Sequence, residues 1–288
     1  MNIQELLSAL SRNSIQLHIA GEGTNSLGAS RFGGQPDVPS DFIWPTFEGE
    51  SYDHVVKDRP LTFLAQFNCE ELTQFDKEHL LPEHGLLSFF YETDTQRWGF
   101  DPKDKGCARV YWFEDISALS AADFPANMEE DFKFPLLNIS FASKNSYPSW
   151  DDLIEIHPEV ESIEDEVYDA TMENLEGEEP ERSQLLGWPD VIQYSMFDEC
   201  DLVSQGYYLG NGLKGVPKAV YEHAKQTARD RWILLFQLDT VETDDFELMF
   251  GDCGHIYFYI TKEDLAARRF DRVWLILARE HENGTVFL

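Results

Sequence analysis

Basic residues are scarce in this sequence of 288 residues. It holds 22 lysines and arginines against 54 aspartates and glutamates, a formal net charge of −32. Proteins that bind nucleic acids neutralise phosphates with clustered lysines and arginines, and anionic membrane surfaces also attract basic segments. The composition therefore excludes nucleic acid and membrane as expected partners. It favours a basic protein as the partner of an acidic surface.

Long apolar runs, paired cysteines and cofactor motifs are also missing. No apolar stretch approaches the roughly 18 residues that span a bilayer, and MNIQELLSALSRNS lacks the features of a signal peptide. The four cysteines lie far apart without a CxxC pair, so we expect free thiols and a cytoplasmic protein. Without a GxSxG, phosphate-loop or paired zinc motif, the sequence predicts no catalytic residues, no metal and no cofactor.

Part of the negative charge is concentrated in residues 149–182, where fourteen acidic residues accompany one arginine and no lysine. Apolar residues recur through this stretch, with Ile163, Val167, Met172 and Leu175 at helical spacing. The pattern predicts an amphipathic helix that buries these four residues and exposes an anionic face.

Two pentapeptides indicate that the chain is an internal repeat. GQPDV at residues 34–38 returns as GWPDV at residues 187–191, and three later segments return in the same order. LTFLAQFN is matched by WILLFQLD, PEHGLLSFFY by GDCGHIYFYI, and RVYWFE by RVWLIL, which aligns Gln66 with Gln237. The matches predict two copies, residues 1–130 and 183–288, joined by residues 131–182 within one compact unit.

The segments within each copy predict the fold class. Residues 1–11 have the pattern of a short amphipathic helix, and the matched apolar, aromatic-rich segments have that of strands. Further helices are expected at EELTQFDKEHL, after the first glutamine strand, and at GVPKAVYEHAKQTARDR, before the second. We therefore expect an internally duplicated α+β protein with mixed or antiparallel sheets and short helices, its two pseudo-twofold-related halves sharing a core.

The order of motifs resembles the YwqG-like family of uncharacterised bacterial proteins. The residues that carry the resemblance are GGQPDVP with the following WP (33–45), LAQFN (64–68), LPEHGLLSFF (81–90), QLLGWPDVIQ (184–193), LLFQLD (234–239) and FGDCGHIYFYI (250–260). The resemblance implies a cytosolic bacterial protein with a duplicated α+β fold. Some relatives are similar to components of toxin–immunity neighbourhoods, which implies a binding role. The resemblance implies no catalytic residues.

Two glutamines inside apolar strands are the first candidate ligand-binding residues. A buried amide has two donor hydrogens and an acceptor oxygen to satisfy. Gln66 and Gln237 could line a cleft at the pseudo-dyad, or each could tie its strand to the backbone of a neighbouring loop. The sequence leaves both interpretations open.

Four carboxylates in turn-rich segments are further candidates for ligand binding. Two of them follow proline in the repeated pentapeptide, and two precede a glycine at aligned positions. They are Asp37, Asp190, Glu83 and Asp252. Such carboxylates are typical of turns, but if they converged on a cleft they would bind a cation or perform acid–base chemistry.

Two tryptophans, Trp44 and Trp188, stand beside proline and are candidates for an exposed, ligand-facing ring. Together with the charge, these features lead us to interpret the chain as a non-enzymatic cytoplasmic binding protein that engages a basic protein partner, in the manner of an immunity protein. The alternative is an enzyme or small-ligand binder with a carboxylate- and amide-lined cleft between the two copies.

Overall fold

A computed structural model of the chain describes residues 2–51, 54–177, 181–192, 194–251 and 253–279. Within these ranges, seven α-helices and seventeen β-strands confirm the predicted α+β class. The helices are α1 (Ile3–Leu10), α2 (Cys69–Leu72), α3 (Trp150–Ile156), α4 (Asp165–Glu176), α5 (Phe197–Ser204), α6 (Lys218–Arg231) and α7 (Lys262–Ala266).

Most strands belong to antiparallel sheets. The strands are β1 (Arg12–Glu22), β2 (Arg31–Phe32), β3 (Asp37–Pro39), β4 (Thr46–Glu50), β5 (Val56–Pro60), β6 (Thr62–Asn68), β7 (Leu86–Tyr91), β8 (Ala108–Phe113), β9 (Leu119–Ala121), β10 (Leu137–Ser146), β11 (Gln184–Leu185), β12 (Gly210–Leu213), β13 (Trp232–Leu238), β14 (Val241–Thr243), β15 (Phe246–Leu248), β16 (His255–Thr261) and β17 (Trp274–Ala278). Ten of them form one sheet, and the pairs β3–β9, β4–β5 and β14–β15 form separate ribbons.

The order of the large sheet is β17-β16-β13-β11-β1-β10-β2-β6-β7-β8. At its centre β1 and β10 pair from Arg12 opposite Ser146 to Glu22 opposite Leu137. We call β2, β6, β7 and β8 the first wing, and β11, β13, β16 and β17 the second wing. The first wing joins the centre through β10, which comes from the stretch between the predicted copies, and the second wing joins it through β1, which comes from the first predicted copy.

The two wings share one hydrophobic core, because the sheet curls until its wings pack face to face. The ring of Phe89 in β7 lies 4.8 Å from that of Phe236 in β13 and 5.2 Å from that of Phe258 in β16. Phe67 in β6 contacts the same Phe236 ring at 5.3 Å. These fully buried rings connect strands that are far apart in the order of the sheet.

Helices cover the sheet on the outside. The helices α5 and α6 pack on the second wing, where Cys200 and Ala224 share a cluster with Trp232 and Tyr259. A separate cluster joins α1 to α3 and α4 around Leu7. The second of these layers places the acidic segment next to the central strands.

Two helix predictions differ from the structure. EELTQFDKEHL forms only the single turn α2, because the buried Asp76 carboxylate accepts the N–H of Leu81 at 2.8 Å and His79 adopts a left-handed φ of 53°. The predicted acidic helix exists as α4, but Val167 is 45% exposed. Its partly buried stripe runs instead through Tyr168, Met172 and Leu175.

The stretch between the predicted copies contains more than a connection. Residues 131–182 include β10, which is one of the two central strands, as well as α3 and α4. Within the described part of the chain, no helix combines the length and the apolar composition that crossing a bilayer requires.

Candidate functional site

Gln66 is fully buried in β6, and its amide is bonded entirely within the protein. Its Oε1 accepts the backbone N–H of Asp37 at 3.0 Å. Its Nε2 donates to the carbonyl of Ala29 at 2.9 Å and to Oδ2 of Asp37 at 2.8 Å. These bonds tie the strand to the loop that carries the first Pro-Asp sequence, which is the structural one of the two interpretations.

Gln237 makes two of the three corresponding bonds in β13. Its Oε1 accepts the backbone N–H of Asp190 at 3.0 Å, and its Nε2 donates to the carbonyl of Arg182 at 2.8 Å. The aligned glutamines therefore hold aligned aspartates by the same backbone group. Gln237 is as buried as Gln66, so neither amide is presented to solvent.

The loops before the two aspartates have the same backbone form. Residues 33–34 have φ values of 61° and 68°, and residues 186–187 have 60° and 80°. At the first position of each pair, the backbone N–H donates to a carbonyl of the strand that carries the glutamine. Gly33 donates to Leu64 in β6 at 2.8 Å, and Leu186 donates to Leu235 in β13 at 3.3 Å. A leucine in the left-handed region is strained, so the surrounding contacts must hold this loop in place.

The surroundings of Asp37 are closed. The residue is 2% exposed, and its Oδ2 accepts the N–H of Gly28 at 2.8 Å in addition to the Gln66 amide. The guanidinium of Arg31, itself buried, lies 3.1 Å from the same oxygen. All of these partners are internal and the carboxylate is buried, so Asp37 stabilises its loop.

Asp190, by contrast, is 37% exposed at its side chain and belongs to a larger network. Its Oδ1 lies 2.8 Å from Nη1 of Arg182, and its Oδ2 lies 3.6 Å from Nε2 of His255. The other ring nitrogen of His255 lies 3.0 Å from Oδ1 of Asp239. Burial would lower the pKa of His255, but the two flanking carboxylates outweigh it and raise the pKa to about 9. His255 is therefore an imidazolium at neutral pH.

Sequence reasoning did not find this histidine network. The signal was available in the hairpin, because the pairing of Leu238 with Ile256 places Asp239 opposite His255. The residues aligned with Asp239 and His255 in the predicted first copy are Asn68 and Leu86, which cannot form such a network.

Beside Asp190 lies a cavity of about 610 Å³. The central strands β1 and β10 and the strand β11 line one side, and α3 and α4 line the other. Arg182, Asp190 and Glu176 contribute charged groups to its wall. The Arg182 guanidinium also lies 3.9 Å from Oε2 of Glu176, so it stands between two carboxylates.

Of the two candidate tryptophans, only Trp188 lines this cavity. It is 3% exposed, so its ring is largely buried, and its Nε1 donates to the carbonyl of Leu10 at 2.8 Å. Trp44 lies on the outer face of the first wing, where its Nε1 donates to the carbonyl of Leu61 at 2.9 Å. Its ring packs against Phe90 at 5.6 Å.

The candidate carboxylates fall in different surroundings. Asp37 and Asp190 each bond to their own glutamine, and no hydrogen bond or ion pair within the described ranges joins the two pairs. Glu83 is exposed beside a small crevice near α2, and Asp252 lies outside the described residues. The residues that the structure describes include no group of three or more His, Cys, Asp or Glu side chains suited to a metal ion.

The outer face of α4 carries the exposed part of the acidic segment. Asp165, Glu166, Asp169 and Glu173 all face solvent, while the opposite side of the helix packs on α1. None of the four carboxylates forms an ion pair with another described residue. The predicted anionic face is therefore present.

Fold and site together define an acidic α+β protein whose two wings hold a repeated Gln–Asp pair, with a cavity beside the second pair. The chain belongs to the family of a domain of unknown function, DUF1963, whose pattern matches residues 30–278. A search of curated proteins finds no match to the chain.

Proposed function

We propose that this protein is a non-enzymatic binding protein that engages a basic protein partner through the outer face of α4. The observation that carries the proposal is the set of four exposed carboxylates without an ion-paired cation in the described ranges: Asp165, Glu166, Asp169 and Glu173. Such a face attracts a positively charged surface and speeds the encounter with it. The net charge of −32 adds attraction at longer range.

The proposal is tested by measuring, through fluorescence anisotropy, the affinity of the protein for a labelled peptide rich in lysine and arginine. In the quadruple α4 variant, the four carboxylates are replaced by amides (D165N, E166Q, D169N and E173Q). We expect this variant to bind the peptide about tenfold more weakly, and we expect added salt to weaken binding to the native protein.

A matched control removes four acids elsewhere. The exposed residues Glu242, Asp244, Asp245 and Glu247 belong to the β14–β15 ribbon, and amidating them should leave the affinity within about twofold. An equal loss in both variants would show that the peptide senses only net charge, and the α4 site would be rejected.

The cavity favours a second function, the binding of a small ligand. Its volume of about 610 Å³ lies within the range of roughly 300–1,000 Å³ that is usual for small-molecule sites. The cavity lies beside Asp190 and Gln237, and both residues are among the carboxylates and amides that the sequence predicts as ligand-binding candidates. Thermal-shift screening of metabolites tests this function, since a ligand that binds the native state raises the unfolding temperature.

We also propose that the chain arose by duplication of a half-size ancestor and is a YwqG-like member of its family. Support comes from the matching bonds of Gln66 and Gln237 and from the order of strands in the two wings. In a crystal structure, one twofold rotation between β1 and β10 should superimpose the wings. A superposition that required another strand order would contradict the proposal.

The proposed compartment is the cytoplasm. Cys69, Cys107 and Cys200 are buried free thiols, and Cys253 is an exposed one. Unpaired cysteines are typical of a reducing compartment. Fractionation of cells that express the tagged protein tests this, and recovery outside the cytoplasmic fraction would contradict it.

A further inference from the structure

Aromatic rings form much of the cavity wall. Trp150 and Tyr168 pack against each other with ring centroids 5.1 Å apart, and Tyr147 and Trp188 also line the cavity. The guanidinium of Arg12 lies 3.6 Å from the centroid of the Trp188 ring. Arg12 does not itself line the cavity, but its position shows that the Trp188 ring attracts a cation, and the other rings offer the same attraction to a ligand.

Carboxylates outnumber cations in the lining of the cavity. The charged lining residues are Asp151, Glu176, Glu181 and Asp190 against Lys144 and Arg182. Arg182 is engaged by two of these carboxylates, at 2.8 Å and 3.9 Å. A phosphate or carboxylate ligand would meet this excess of negative charge, so the lining disfavours anions.

Two of the lining carboxylates lack full compensation. Asp151 forms no ion pair with another described residue, and burial raises its pKa, as do the neighbouring carboxylates of Asp152 and Glu155. Burial also raises the pKa of Glu176, with a further contribution from Asp190 that Arg182 opposes. An added cation would stabilise the ionised form of both groups.

From the rings and the charges we propose that the cavity binds an organic cation, an alkylammonium or guanidinium group. Asp151 and Glu176 would receive its charge, and the rings of Trp150 and Tyr168 would contact its alkyl part. The inference rests on the ligand-binding function and is independent of the outer face of α4. The cation is either a free amine or a lysine or arginine side chain of a partner protein, since both carry the same group.

Calorimetric titration of the full chain with agmatine and spermidine tests the proposal, with citrate as an anionic comparator. We expect both amines to bind with one site per chain and citrate to give no heat of binding. Absence of amine binding up to roughly 10 mM, which corresponds to an affinity weaker than that of ordinary specific ligands, would overturn the free-amine form.

Two variants on the same helix separate the cavity from general surface charge. Glu176→Gln removes a lining carboxylate, whereas Glu173→Gln removes an exposed one on the outer face. We expect Glu176→Gln to weaken amine binding about tenfold and Glu173→Gln to change it less than about twofold. Equal losses would reject the cavity as the site. Trp150→Leu, which removes a ring while keeping every charge, should also weaken binding.

A peptide arm identifies the source of the cation. A peptide with one arginine is compared with the same peptide carrying citrulline, which keeps the shape and lacks the charge. Binding of the arginine peptide but not of free amines assigns the cavity to a partner's side chain, and failure of both ligands overturns the proposal. The quadruple variant of the outer face of α4 (D165N, E166Q, D169N and E173Q) should still bind amines. Loss of peptide binding at the outer face of α4 is thereby distinguished from loss of amine binding in the cavity.

Discussion

Gln66 and Gln237 show how a polar side chain can be required inside an apolar strand. Each amide is fully buried, and each holds the backbone N–H of an aspartate at 3.0 Å. An unbonded buried amide would destabilise the fold, whereas a bonded one fixes the loop against the strand. The glutamines therefore define the shape of the Pro-Asp loops, and Gln237 also positions Asp190 at one edge of the cavity.

Replacing Gln66 by methionine should lower the free energy of unfolding by about 3 kcal/mol, because Asp37 and Ala29 would lose buried hydrogen bonds without replacement. Urea unfolding measures the change. Gln74→Met is the matched control, since Gln74 is exposed and should change stability by less than about 0.5 kcal/mol. Similar stabilities for the two variants would show that the Gln66 bonds do not hold the loop.

His255 should make stability depend on pH. Burial opposes its protonation, but Asp190 and Asp239 raise its pKa from 6.5 to about 9, so the folded state binds the proton more tightly than the unfolded state. Its contribution is therefore complete below about pH 6.5 and is lost as the pH rises through 9. The decline in free energy of unfolding should be on the order of 3 kcal/mol.

Urea unfolding between pH 6 and pH 10 checks this dependence. Glu199, whose pKa burial raises to about 8, also contributes to the decline in this range. His255→Gln should therefore make the decline smaller, whereas His223→Gln, at an exposed position of α6, should retain all of it. A decline of equal size in His255→Gln and in the native protein would show that His255 does not contribute to the pH dependence.

At the scale of helices and strands, the local sequence pattern correctly predicted those elements whose conformation depends mainly on their own residues. The apolar runs of β6 and β13 and the helical spacing of α1 are examples. Patterns failed where distant contacts decide. The pairing of β10 with β1 joins residues more than a hundred positions apart, and the bond between Asp76 and Leu81 holds the chain after α2 in a loop. Similarly, Val167 has helical spacing but lies beside the stripe that packs on α1.

Gly33, in the loop before the first Pro-Asp sequence, and Gly21, in β1, allow a matched test of how tightly this loop is packed. A Cβ at Gly33, where φ is +61°, would lie 2.0 Å from the carbonyl oxygen of Pro135, whereas a Cβ at Gly21, where φ is +70°, would meet nothing within 4 Å. Gly21→Ala should cost only the left-handed conformation, about 1 kcal/mol. Gly33→Ala should cost about 2 kcal/mol more, because backbone atoms must also move.

Thermal unfolding of the two glycine variants measures the difference. Both glycines have a left-handed φ, so its cost cancels in the comparison. The additional destabilisation of Gly33→Ala measures the close contact between the new Cβ and the carbonyl oxygen of Pro135. Equal costs would mean that the loop can shift freely, and the fixed geometry inferred for the Asp37 loop would be wrong.

On the scale of the whole molecule, the repeat in the sequence predicted paired segments but not how the sheet joins them. The strand β1 of the first predicted copy lies beside the second wing, and β10 from the joining stretch lies beside the first wing, an arrangement that no local pattern encodes. The cavity escaped prediction for the same reason. Its lining comes from β1, β10, β11, α3 and α4, which are separate in sequence and meet only in the folded chain.

This joined core should make the two wings unfold together. Phe89 of the first wing contacts Phe236 and Phe258 of the second, and all three are fully buried. Phe89→Ala should cost roughly 3–5 kcal/mol. In calorimetry it should lower the midpoint while leaving one transition, since neither wing keeps its buried surface alone. Val56→Ala, at an exposed position, should leave the midpoint unchanged. Two transitions, of which only one moved in Phe89→Ala, would show that the wings are independent folding units.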